Sequence, residues 1–163
     1  MIADAIRLAL SNVPLLMFVA AIVLALARRG PGSTAERLLA WLLLLAVGID
    51  SLWAGVFHVF FPEVARAAIG WGASPFQYEI GVADIALGVV AIASFWRSPP
   101  FKSAVALYAI VFYVGVIVGH IREAVTHDDF APDNFGLLLA LTALRAILLV
   151  GLLLAVRTRP SAA

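Results

Sequence analysis

The sequence predicts an all-α integral membrane protein: a helical bundle of five transmembrane helices, with its N-terminus outside and its C-terminus cytoplasmic. Three observations predict it. Of 163 residues, 64% are apolar and 13% charged, and mean hydropathy is +1.06, so there is more apolar surface than one soluble core of this size buries. The apolar residues fall into runs of the length that crosses a hydrocarbon layer about 30 Å thick. Lysine and arginine gather on one set of connecting segments.

The first span covers residues 6–27, of which 8–27 hold no ionisable group, with Pro14 in its first half. Membrane helices tolerate such a proline when neighbours satisfy the freed carbonyl. After RRGPGST, Ser33 and Glu36 have capping-box spacing and open a second span over 35–61, long enough to imply tilt. Pro62 ends it, and PEVARAAIGWGA reads as an amphipathic interfacial linker beside Trp71. Ser74, Pro75 and Gln77 fit the N-cap, first and third positions of a third span over 76–96. RSPPFK stops it. The fourth span covers 103–124, where Gly115 and Gly119 share a face suited to close helix approach. Gly48 with Gly55, and Gly81 with Gly88, form similar small-residue stripes. After HDDFAPDN, with Asp133 or Asn134 as cap, the fifth span covers 135–156. Trp41, Trp71 and Trp96 fit an aromatic belt, and Trp53 an interior position.

Sidedness follows from charge. Arg28, Arg29, Arg37, Arg97, Lys102, Arg157 and Arg159 lie on one side, and only Arg7, Arg66 and Arg122 on the other, together with Asp4, Glu63, Asp128, Asp129 and Asp133. The richer side is expected to be cytoplasmic. Arg28 and Arg29 follow the first apolar run, whereas a cleaved signal peptide carries its positive charge ahead, so this span is expected to be retained. The reading is one transmembrane domain over 1–163, multi-pass in the cell inner (plasma) membrane. Its expected partners are the lipid bilayer and either further copies of the chain or a larger membrane complex.

A net charge of +1 offers no basic stripe for nucleic acid. The lack of cysteine excludes disulfides, thiolate metal ligands, iron–sulfur clusters and dithiol chemistry. No nucleophile motif or phosphate-binding loop appears, which leaves catalysis the least favoured class.

Ionisable groups at membrane depth are expensive and require a partner or a wet cavity. Counting the rise of about 1.5 Å per residue sorts them into two layers. His58, Glu79, His120 and Glu123 lie near the outer helix ends, while Asp50, Asp84 and Arg145 lie deeper. Arg145 calls for Asp84 or Asp50 as its carboxylate, and the remaining acid is then either held protonated or a group that exchanges a proton. Glu79 and Asp84 are five residues apart and point to different neighbours, whereas Tyr113, His120 and Glu123 share a stripe. The outer set of two imidazoles and two carboxylates suits a transition metal ion. The two histidines could instead ligate haem, with quinone as a further alternative, or simply hydrogen-bond Glu79 and Glu123. The leading expectation is an outward-facing site that binds a cation, either a metal or an exchangeable proton, with a link to transport. A haem- or quinone-binding accessory subunit and a purely structural subunit are the alternatives.

The segment GWGASPFQYEIGVADIALG, Gly70 to Gly88, with the later GHIRE and FAPDNFG, resembles a family of small uncharacterised prokaryotic membrane proteins. The resemblance implies that Gln77, Glu79, Asp84, His120 and Glu123 belong to the family's signature, and it brings no activity. More distantly, the helix layout with outward acids and histidines is similar to DoxX-like proteins, some of which serve quinol-oxidising complexes.

Overall fold

The computed structural model describes residues 11–28, 30 and 32–157. Among the described residues six helices follow in order and no strand occurs: α1 (Val13–Ala27), α2 (Thr34–Phe60), α3 (Pro62–Ile69), α4 (Phe76–Ser94), α5 (Pro99–His127) and α6 (Leu137–Arg157). Four of them, α2, α4, α5 and α6, are long and apolar enough to cross a membrane. The 15 residues of α1 make about 22 Å of helix, less than a hydrocarbon core. The part of the expected first span before residue 11 lies outside the described residues. Pro14 sits in the opening turn of α1, after Asn12, rather than within a longer helix. There its missing N–H has no intrahelical acceptor to disappoint.

Helix α2 starts as its sequence requires. Glu36 N–H donates to Ser33 Oγ at 3.2 Å, and Ser33 N–H donates to Glu36 Oε2 at 2.6 Å, closing the capping box. Between Leu42 and Ile49 the helix widens to π-type turns, and the Asp50 N–H reaches back five residues to the Leu45 carbonyl. Such segments reset the face presented by the residues that follow, and they recur at functional sites.

The glycines divide into two groups. On α2 and α4, a Cβ at Gly55 would stand 2.7 Å from the Gly81 carbonyl oxygen, and one at Gly88 would stand 2.9 Å from that of Gly48. These two backbones therefore touch, as the stripes require. Gly115 and Gly119 on α5 correct the expectation of close approach, because nothing lies within 4 Å of a Cβ at either.

Two other boundaries move for local reasons. Pro99 and Pro100 occupy the first turn of α5, so the proline pair opens that helix as well as ending the preceding segment, and α5 runs to 29 residues. Helix α4 ends at Ser94, two residues before Trp96.

One end of the bundle is tightly closed. Leu43 and Val47 of α2, Leu87 and Ala91 of α4, Ala106 and Ala109 of α5, and Leu149 and Leu153 of α6 share an apolar core. Ala21 of α1 packs with Leu42 and Ala46 of α2. Arg37 Nε donates to the Ala25 carbonyl, Arg28 lies over Trp41, and Trp41 meets Phe95 edge-on. The opposite end carries α3 and the loop between α5 and α6, and toward it α2 and α4 stay in contact through Gly55 and Gly81.

Candidate functional site

Helix α3 is amphipathic and stops at Gly70, whose φ of +79° is the left-handed region that glycine enters without a steric penalty. A Cβ there would also meet Asp129 Oδ1 at 2.7 Å, which shows how closely the α5–α6 loop lies on this turn. The turn brings Trp71 over the bundle end. Gln77, expected to help cap α4, instead donates from Nε2 to the Pro62 carbonyl at 2.8 Å and ties α4 to the start of α3. Ser74 Oγ accepts from Phe76 N–H at 3.3 Å.

Asn134 is fully buried and serves as a clamp rather than as the cap of α6. Its Nδ2 donates to the carbonyls of Asp129, at 2.7 Å, and His120, at 3.4 Å. Its Oδ1 must then be the acceptor, taking Trp71 Nε1–H at 3.1 Å and His120 Nδ1 at 2.7 Å. A carbonyl oxygen can only accept, so the His120 ring carries a proton on Nδ1 and donates it to Asn134. The Trp71 and His120 rings pack with centroids 5.3 Å apart. No sequence spacing signals a partnership between positions 71, 120 and 134. An asparagine just before a helix ordinarily reads as a cap.

Beneath this clamp lies a cavity of about 610 Å³, lined by α2, α3, α4, α5 and α6. Its walls are mostly apolar. Arg66, Trp71, Gln77, His58 and His120 line it toward the open end, and Asp50, Asp84, Tyr113, Thr142 and Arg145 line it deeper in the bundle. Asp84 and Arg145 each lie eight residues inside their helices, about 12 Å, and Asp50 lies ten from Phe60, about 15 Å. A second cavity, of about 680 Å³, shares Asp50, Ala54, His58, Ile69 and Leu138 with the first, and Trp53 lines it.

The deep charges are unequal. Arg145 Nη1 donates to Asp50 Oδ2 in a buried ion pair between α6 and α2. The Tyr113 hydroxyl, and Nε and Nη2 of Arg145, are buried without a hydrogen-bond partner among the described residues. Asp84 is only 8% exposed and lines the cavity, and no ion pair claims its carboxylate among the described residues. The arginine's choice between two acids is thus settled for Asp50.

The outer set does not converge. His58 and His120 both line the cavity, and the buried His58 Nδ1 has no hydrogen-bond partner among the described residues. Glu79 is exposed, and Glu123 pairs at 2.8 Å with His127 one turn on, away from His120. Among the described residues no three histidine, aspartate or glutamate side chains stand close enough to hold a metal. The physical reason is azimuthal. Glu123 reaches His127 through i,i+4 spacing, and Glu79 stands about 140° around α4 from the inward Asp84. His127 is the residue that takes Glu123.

In comparisons with known proteins, the model of a family of unknown function, DUF6790, matches residues 11–162. No curated protein and no solved structure matches the chain.

Proposed function

We propose, from the premise that this chain belongs to the DUF6790 family of unknown function, that it is a small multi-pass membrane protein which exchanges a proton at Asp84 inside a solvent-reachable cavity. The observation that carries this reading is the surplus carboxylate. Asp50 and Arg145 neutralise one another, and Asp84 remains at membrane depth without a counterion among the described residues. A carboxylate so placed requires a proton or a cation beside it. A transition metal is disfavoured, because the histidines and glutamates that would ligate it are dispersed.

In the same reading α1 completes a fifth span together with residues ahead of it. The end bearing Glu63, Asp128, Asp129 and Asp133 then faces outward, and the end bearing Arg28, Arg37, Arg97 and Lys102 faces the cytoplasm. The cavity would load from outside the inner membrane, and coupling to transport follows if it opens alternately.

Infrared spectroscopy of the protein in lipid nanodiscs tests the proton. The carbonyl stretch of a protonated carboxylic acid should appear, titrate with bulk pH and vanish in Asp84→Asn. A titrating band that survives in Asp84→Asn, or no such band in the wild type, overturns the reading.

A further inference from the structure

The cavity is not closed on its lipid-facing side. Helices α4 and α5 share the core at the basic end, through Leu87, Ala91, Val105 and Ala109. Farther toward the open end, residues of both helices line the cavity and are also exposed. On α4 these are Phe76, 71% exposed, and Ile80, 36% exposed; on α5 they are Val111, 65% exposed, and the exposed Gly115. Gly119 lines the cavity one turn on. Nothing among the described residues lies within 4 Å of a Cβ at Gly115 or Gly119, so the absence of side chains on this face of α5 creates space instead of closing a helix contact. Every residue of this opening is apolar, and it lies on two helices of membrane-spanning length.

The charge inside decides what fits. Asp50 and Arg145 cancel, and Arg66 is engaged by Glu63 at the open end. Groups facing Asp84 from the neighbouring helices are Asp50 on α2, Tyr113 on α5 and Arg145 on α6, with His58, His120 and Arg66 farther toward the mouth. With those two pairs formed, the Asp84 carboxylate is the cavity carboxylate left without a counterion among the described residues. Phe76, Phe112, Tyr113 and Trp71 supply aromatic walls, which favour a cation over an anion of the same shape. We infer that the cavity takes a lipophilic organic cation, which enters sideways from the bilayer through the α4–α5 gap and displaces the proton from Asp84. This inference rests on the proton-exchange reading of Asp84. The exchange balances: one ligand cation binds, one proton leaves, and the site stays neutral.

The test uses full-length protein in nanodiscs and two membrane-soluble ions of equal shape and opposite charge, tetraphenylphosphonium and tetraphenylborate. Tetraphenylphosphonium should bind saturably, release one proton per cation and weaken as pH falls, since the proton competes for the same carboxylate. Asp84→Asn should lower its affinity at least tenfold, and tetraphenylborate should bind no better than to empty nanodiscs. Gly115→Leu and Gly119→Leu project into open space and should fold. They should slow association at least tenfold while leaving the titrating infrared band intact, with Gly115→Ala intermediate. Equal binding of the two ions, or unchanged association in both leucine variants, overturns the inference. If the infrared band is present and the phosphonium does not bind, the inference fails while the proton site stands. If the band is missing, the underlying reading fails as well.

Discussion

Gly55→Ala and Gly115→Ala add the same methyl group to two helices of one bundle, and the structure assigns them opposite consequences. At Gly55 the new Cβ would stand 2.7 Å from the Gly81 oxygen and 2.8 Å from the Ile85 nitrogen, both backbone atoms that no rotamer change can move. Ordinary contact begins near 3.4 Å, so α2 and α4 must separate by the difference of 3.4 and 2.7, about 0.7 Å. Overpacking of this kind costs about 1–3 kcal/mol. For a chain of this size, that lowers the melting temperature by about 2–12 °C. At Gly115 nothing lies within 4 Å, and alanine restricts the unfolded backbone more than glycine does. The expected change there runs from none to about 1 kcal/mol of stabilisation. Thermal unfolding of both variants in one detergent, followed by tryptophan fluorescence, measures the contrast. Equal loss at the two positions would refute the division of the glycines into contact-forming and cavity-forming sets, and with it the open face of α5.

Other variants probe the remaining interactions. Arg145→Met leaves Asp50 buried without its counterion and should cost about 3–5 kcal/mol in denaturant unfolding, whereas the double variant Asp50→Asn, Arg145→Met should recover most of that loss. Asn134→Ala unties Trp71, His120 and the α5–α6 loop at once; it should cost about 1–3 kcal/mol and red-shift the Trp71 contribution to fluorescence. Because the chain has no cysteine, single replacements at Asp133 and Arg97 report sidedness cleanly. An impermeant maleimide applied to intact cells should label the first and spare the second, and the reverse pattern would invert the orientation.

Helices long and apolar enough to cross a membrane, and how far along its helix each polar group lies, were legible in the residues themselves. Depth along a helix accumulates at about 1.5 Å per residue whatever surrounds it, so counting from Pro75 and Phe135 places Asp84 and Arg145, nine and ten residues in, at nearly one level before any contact is known. The capping box at Ser33 and Glu36 is equally local. Azimuth is different. Each residue turns the helix by about 100°, and the wide turns between Leu42 and Ile49 shift that phase ahead of Asp50, so the partner across the interface depends on packing. Only the tertiary structure therefore gave Arg145 to Asp50 and left Asp84 to the cavity. It also turned Glu79 and Glu123 away from the two histidines, brought Asn134 beneath Trp71, and made Gly115 and Gly119 part of an opening while the glycines of α2 and α4 became a contact. Local chemistry specifies what each segment is and how deep it reaches; which faces meet is a property of all the helices together.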